Sequence, residues 1–242
     1  MKNLFYITSS ILLISSSVYA QDFGKLKQKV TETVSSDKSS GVLSEGEVSN
    51  GLKEALNKGI EKGVSQLSKP DGYFKDPQIK IPLPDEAKNV ETKLRQIGQG
   101  DQIDQAIESL NRAAEDAANG AKDIFVDAIK NMTVTDAMGL LKGNDDAATR
   151  FLEKSTRDAL VAKFQPIVKI SLDKVGATKH WNTIFTTYNK IPMVSKVNPD
   201  LEVYATNKAI DGLFIQIAKE ELEIRKNPGA RVTDLLKKVF GN

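Results

Sequence analysis

Apolar residues recur in the middle of the chain at alternating steps of four and three, the spacing that places side chains on one face of an α-helix. The row consists of Ile103, Ile107, Leu110, Ala114, Ala117, Ala121, Ile124 and Ala128. Because its centre is alanine, a second helix can approach closely there. The row predicts a long helix over 101–131 that packs against other helices.

Helix-capping residues and apolar spacing predict further helices. Ser44 and Glu47 have the spacing of a capping box, and Thr133 with Asp136 marks another helix start. Pro166 lies inside a predicted helix and is expected to kink or split it. We expect helices over 85–97, 134–142, 145–175, 178–189 and 200–226, and a last turn at 233–239. The sequence therefore predicts an all-α fold.

A second row of small residues follows Ser44 at intervals of four. The row consists of Gly51, Ala55, Gly59 and Gly63. Glu61 and Lys62 lie between the last two glycines, so a membrane-embedded GxxxG contact is not expected. The row instead predicts close packing of a neighbouring helix in a water-soluble domain.

The segment 71–84, "DGYFKDPQIKIPLP", differs from the rest of the chain because its apolar residues alternate with polar residues or proline. Ile79, Ile81 and Leu83 have this period of two, while the prolines exclude a central strand. We expect an edge strand or an extended covering segment. "KIPM" at 190–193 is similar to "KIPL" at 80–83, so a minor two-stranded ribbon remains an alternative.

The N-terminus has the features of a signal peptide. Residues 1–20 contain one lysine, a short apolar run and the ending Val18-Tyr19-Ala20, which is similar to a cleavage site. Residues 21–42 are interpreted as a short helix and a flexible polar linker, and 43–242 as a single helical domain. We expect an exported protein, in the periplasm or secreted, without a transmembrane segment after signal cleavage.

Composition excludes several classes of chemistry. The chain has no cysteine and one histidine, His180, which excludes disulfides, thiolate chemistry and histidine-rich metal sites. We find no phosphate-binding glycine loop and no motif that predicts a cofactor or a metal ion. The 34 basic and 32 acidic residues are interspersed along the predicted helices, which is not typical of a nucleic-acid-binding protein.

One carboxylate falls on an apolar helix face. In the helix 200–226, Glu221 shares a face with Ile210, Leu213 and Ile217. A carboxylate in that position costs several kcal/mol unless it is paired and hydrogen-bonded. Arg225, one turn later, is the natural partner. The pair is interpreted either as a buried ion pair that fixes helix register or as a polar anchor inside a pocket.

The helix 101–131 contributes two further candidates. Asn111 and Glu115 border its apolar face, whereas Arg112 lies nearly opposite and is expected to form local ion pairs in solvent. Together with Glu221 and Arg225, the first two residues form the predicted buried polar cluster. No catalytic residue is assigned.

Seven short segments, taken in order, resemble those of an exported bacterial family of uncharacterised helical proteins, domain of unknown function 4197. The segments are "GYF" (72–74), "IKIPLP" (79–84), "LNRAAE" (110–115), "AAT" (147–149), "DGLF" (211–214), "EELEIRKNP" (220–228) and "KKVFG" (237–241). The resemblance extends from about Leu43 to the C-terminus. It implies one helical domain behind a signal peptide, and it brings no activity, ligand or catalytic residue.

Two functional hypotheses follow. The first is a non-catalytic exported protein that binds a small apolar or amphipathic molecule, or an envelope protein, because helical domains often form cavities between helices. The alternative is a carboxylate-based hydrolase with Glu115 and Glu221 as acid and base, which would require the two groups to lie close together. The absence of catalytic motifs favours the first.

Overall fold

The computed structural model describes residues 43–174 and 200–227, together with residues 176–178, 181, 182, 186, 189, 190, 196, 230 and 237–239. These residues belong to one compact unit, Leu43–Asn242. The predicted signal peptide at 1–20, the segment 21–42 and His180 lie outside the described residues. So do residues 191–193 of the predicted ribbon and much of the helices predicted over 178–189 and 233–239.

Most of the described residues are helical, which confirms the predicted all-α fold. Seven α-helices have both ends described: α1 (Glu45–Leu67), α2 (Lys88–Gln96), α3 (Gly100–Ala118), α4 (Ala121–Asn131), α5 (Val134–Leu141), α6 (Ala147–Lys174) and α7 (Leu201–Lys226). A 3-10 helix, Asp85–Ala87, precedes α2. No strand occurs in the part of the chain that is described. None of the described helices has the length and apolar composition of a membrane span.

The capping box predicted at Ser44 is confirmed, and the helix start predicted at Thr133 also has a capping box. Ser44 accepts a hydrogen bond from the Glu47 backbone N–H, while the Glu47 carboxylate accepts one from the Ser44 N–H at 2.9 Å. Thr133 and Asp136 make the same reciprocal contacts at the start of α5. Each box satisfies N–H groups that have no partner within the helix.

The predicted helix over 101–131 is two helices, so that prediction was wrong. The chain turns at Asn119 and Gly120, where the Gly120 N–H donates to the Ala117 carbonyl at 2.9 Å. Glycine costs about 1 kcal/mol in a helix relative to alanine, and the unbroken apolar spacing hides this break. Pro166, by contrast, does not split α6, which continues to Lys174.

α7 lies at the centre of the packing and contacts α1, α3 and α6. The small-residue row of α1 faces it. A Cβ atom at Gly63 would lie 3.4 Å from Gln216 Cγ, and one at Gly59 would lie 3.5 Å from Glu220 Cβ. The two helices therefore approach closely along the glycine row, as the sequence predicts.

The segment 71–84 contacts α3 and α7; it consists of turns up to residue 79, and residues 80–84 belong to neither a helix nor a turn. Ile79, Ile81 and Leu83 are buried, and the residues between them are exposed, so the predicted alternation is confirmed. The Tyr73 hydroxyl donates to the Ala209 carbonyl of α7 at 2.8 Å, which fixes one end of the segment. Burial raises the pKa of Tyr73, because the phenolate would lose its solvent.

The contact between this segment and α7 requires a glycine at position 212. A Cβ atom there would lie 2.7 Å from Tyr73 Cε1, whereas nothing lies within 4 Å of one at Gly139 in α5. We expect Gly212→Ala to lower the free energy of unfolding by about 1–3 kcal/mol through overpacking. Gly139→Ala should raise it by about 0.5–1 kcal/mol through helix propensity. Urea denaturation followed by circular dichroism measures both, and equal effects of the two substitutions would contradict the packing argument.

Candidate functional site

The structure buries three residues of the predicted polar cluster, Asn111, Glu115 and Glu221, and half-buries Arg225. It places the four in two separate pairs. Asn111 and Glu115 of α3 bind the segment 71–84. Glu221 and Arg225 of α7 bind the ends of α6 and α5. The two pairs share none of these partners, so we describe them as the segment anchor and the helix-end bridge.

In the segment anchor, Asn111 makes the pair of backbone hydrogen bonds that a neighbouring strand would make in a sheet. Its Oδ1 accepts from the Ile81 N–H at 2.8 Å, and its Nδ2 donates to the Ile81 carbonyl at 2.9 Å. Nδ2 also donates to the Ile107 carbonyl one turn earlier in α3. One side chain therefore satisfies both backbone polar groups of a buried residue that belongs to no sheet.

Glu115 completes the segment anchor. Its Oε1 accepts from the N–H groups of Tyr73 and Phe74 at 3.0 and 3.2 Å. Its Oε2 accepts from Arg112 Nη1 at 2.7 Å. The carboxylate is only 5% exposed, and the arginine supplies the charge that its burial requires.

Arg112 has a larger role than its position on the helix face predicts. Besides Glu115, it binds Glu108 in its own helix and Asp71 at 2.8 Å. The hydrogen bonds to Glu115 and Asp71 raise the pKa of Arg112 above its ordinary value. Asp71 is far away in the sequence, so helical spacing alone does not reveal this contact.

In the helix-end bridge, Glu221 binds the first turn of α6. Its oxygens accept from the Ala148 N–H at 3.1 Å, and from the Thr149 N–H and hydroxyl at 2.8 Å each. The N-terminal N–H groups of a helix have no partner within the helix, and the helix dipole is positive there. A buried carboxylate is stabilised by both effects.

Arg225 connects this carboxylate with the end of α5. Its guanidinium donates to Glu221 Oε1 at 2.8 Å, and to the Leu140 and Leu141 carbonyls at 2.8 and 3.3 Å. Those carbonyls lie at the negative end of the α5 dipole. The pair thus places each charge at a helix end of opposite sign.

The geometry gives little support to an acid–base role for Glu115 and Glu221. Both carboxylates are buried and already accept hydrogen bonds from backbone N–H groups. Glu115 binds the segment 71–84, whereas Glu221 binds the start of α6. General acid–base catalysis needs a group within hydrogen-bond reach of a substrate proton. Within the described residues, no three His, Asp or Glu side chains form a group that could hold a metal ion.

A groove that the sequence did not reveal lies along α3. Its volume is about 780 Å³, and it is bounded by the end of the segment 71–84, by α2, by the C-terminal end of α6 and by the start of α7. Leu83, Ile103, Leu110, Trp181 and Leu201 form its apolar floor, and exposed or half-buried polar side chains form its rim. The groove thus has an apolar interior behind a polar edge.

The rim of the groove carries charges of both signs. Glu91 is paired with Arg95, and Glu108 is paired with Arg112. Asp116 accepts a hydrogen bond from the Ser171 hydroxyl at 2.6 Å. We refer to the end of the groove where α3 meets α6 as the α3–α6 end.

Comparison with known protein families shows to which family the chain belongs. Residues 42–241 match the model of the family described as "Protein of unknown function (DUF4197)". The chain belongs to this family. No curated protein and no solved structure matches it.

The sequence segments that carry the DUF4197 resemblance coincide with the anchoring contacts. The segments at 72–74, 79–84 and 110–115 supply the segment anchor. Those at 147–149 and 220–228 supply the helix-end bridge. Another segment, at 211–214, contains the glycine against which Tyr73 packs. In the DUF4197 chain these motifs therefore act in the structure as tertiary contacts.

The segment anchor of this DUF4197 chain can be tested at Asn111. We expect Asn111→Leu to lower the free energy of unfolding by about 2–4 kcal/mol, because the Ile81 N–H and carbonyl lose their buried partner. Asn207→Leu is the matched control, since Asn207 is exposed and bonds only to its own helix. The control should change the free energy by less than about 0.5 kcal/mol. Guanidinium denaturation measures both, and a neutral Asn111→Leu would contradict the assignment.

The helix-end bridge can be tested at Arg225 and Glu221. Arg225→Ala leaves a buried carboxylate without its cation and should cost about 3–5 kcal/mol of stability. Glu221→Gln should cost about 1–3 kcal/mol, because its amide group would face backbone N–H donors. Arg150→Ala is the control: Arg150 is 72% exposed in a local pair with Asp146, and the change should be below about 0.5 kcal/mol. Thermal melts in which all three variants resemble the parent would show that the bridge does not stabilise the fold.

Proposed function

We propose that the chain is a non-catalytic exported protein that binds a small amphipathic molecule in the groove along α3. The observation that carries the proposal is the groove itself. Its volume of about 780 Å³ lies within the range of about 300–1,000 Å³ that is typical of small-molecule sites. Its combination of apolar floor and polar rim suits a ligand with an apolar body and a polar end.

The walls of the groove are shaped by small residues. Ala106 on α3 and Ala177 beyond α6 are half-buried, as is Val90 on α2, and all three face the same space. Larger side chains at these positions would fill the groove and join the core. The space therefore depends on specific residues, and it can be closed by substitution.

The groove favours a small molecule over a protein partner. The three large apolar side chains with the highest exposure among the described residues, Ile97, Val134 and Ile170, lie on different parts of the chain. Three less exposed ones lie on α7 and are separated by at least one polar turn: Val203, Ile215 and Leu222. Single exposed apolar residues are normal on soluble proteins and do not define a docking surface. Export is part of the proposal because of the signal-like residues 1–20, and it would place the ligand outside the cytoplasm.

Ligand binding can be measured through Trp181, the only tryptophan of the chain, which lines the groove. We expect dodecyl maltoside, a non-ionic amphiphile, to change the Trp181 emission saturably below its micelle concentration. Ala106→Phe should weaken this binding by about tenfold or more, because the ring fills the groove.

Ala128→Phe serves as the control, since Ala128 is half-buried on α4 and does not line the groove. Thermal melts should show that both variants are folded. An emission that does not saturate, or that responds equally in parent and Ala106→Phe, would refute the proposed function.

A further inference from the structure

We infer that the groove holds an amphiphile with a single alkyl chain and a zwitterionic head, and that the head lies between Asp116 and Lys174. The inference rests on the proposed function and adds the class of ligand and its orientation. The alkyl chain would follow α3 over the apolar floor. The head would lie at the α3–α6 end, with its cationic group near the carboxylate and its anionic group near the ammonium.

The groove is long in relation to its volume. Its α3 lining extends from Gln102 to Asp116, a rise of about 21 Å along the helix axis. A volume of about 780 Å³ distributed over that length suits an elongated occupant such as an extended alkyl chain.

An extended peptide is a poor match for the groove. The floor is formed by apolar side chains such as Ile103 and Leu110, which offer no partner to a peptide N–H or carbonyl. Leaving such groups unpaired costs free energy, whereas an alkyl chain has no polar group to satisfy.

The position of the head follows from which rim charges are already neutralised. Glu91 and Glu108 have arginine partners, and Arg112 is surrounded by three carboxylates. Asp116 and Lys174 also line the groove, and neither forms an ion pair with any residue in the described ranges. They are the two rim charges that a ligand can complement without displacing an existing partner.

These two charges lie close enough to share one head group. Asp116 is held by Ser171, and Lys174 lies one turn after Ser171 on the same face of α6. Residues at this spacing have Cβ atoms about 5–6 Å apart. Opposite charges that are near each other but not paired match a head that carries an ammonium and a phosphate or carboxylate.

The test compares four amphiphiles with the same dodecyl chain, again through Trp181 emission and below their micelle concentrations. The probes are dodecylphosphocholine, dodecyl phosphate, dodecyltrimethylammonium and dodecyl maltoside. We expect dodecylphosphocholine to bind about two- to fivefold more tightly than each of the others, because exposed ion pairs contribute modestly. Lys174→Gln should remove this preference over dodecyltrimethylammonium, and Asp116→Asn should remove it over dodecyl phosphate.

Two residues of α6 serve as matched controls. Lys154 and Asp158 are exposed on α6 outside the groove, so Lys154→Gln and Asp158→Asn should leave all four affinities unchanged. Equal affinity for the four probes, or a preference that survives both groove variants, would overturn the head-group assignment while leaving the proposed function intact. Failure of all four probes to bind would refute the proposed function as well.

Discussion

The backbone polar groups of the segment 71–84 impose the constraint on which the rest of this structure depends. The segment belongs neither to a helix nor to a sheet, and its internal turns satisfy only some of its backbone groups. The N–H groups of Tyr73, Phe74 and Ile81 therefore need partners from elsewhere. α3 supplies them through Asn111 and Glu115. Because Leu83 follows directly, the same contacts position one wall of the groove.

The helix-end bridge solves a related problem where α5 and α6 meet α7. The end of α5 and the start of α6 carry unpaired carbonyls and N–H groups of opposite partial charge. Glu221 and Arg225, one turn apart on α7, bind these two ends at once. The central helix is thereby tied to the turn between α5 and α6, and burial of two charges is offset by several hydrogen bonds.

Sequence periodicity predicted burial better than it predicted contacts. Asn111, Glu115 and Glu221 could be found because a polar residue on an apolar helix face is visible in the local pattern. Arg225 could also be predicted as the partner of Glu221, because it lies one turn away on the same helix. The other partners could not, because residues such as Ile81 and Thr149 lie on other elements. The break at Gly120 escaped detection for a related reason, since two helices can share one apolar spacing. The groove could not be predicted from the sequence, because it is a space between several elements that small side chains do not fill.

Arg112 links the two parts of the molecule that matter most for the proposed function. It binds Glu115 and Asp71 on the side of the segment anchor, and it lines the groove next to Asp116 on α3. Its guanidinium is held by three carboxylates, so it is positioned before any ligand enters. A site whose walls are fixed in advance loses less entropy on binding. The contacts that hold the segment 71–84 therefore also position Arg112 beside the groove. On the proposed function, weakening the segment anchor would weaken ligand binding without any substitution in the groove floor.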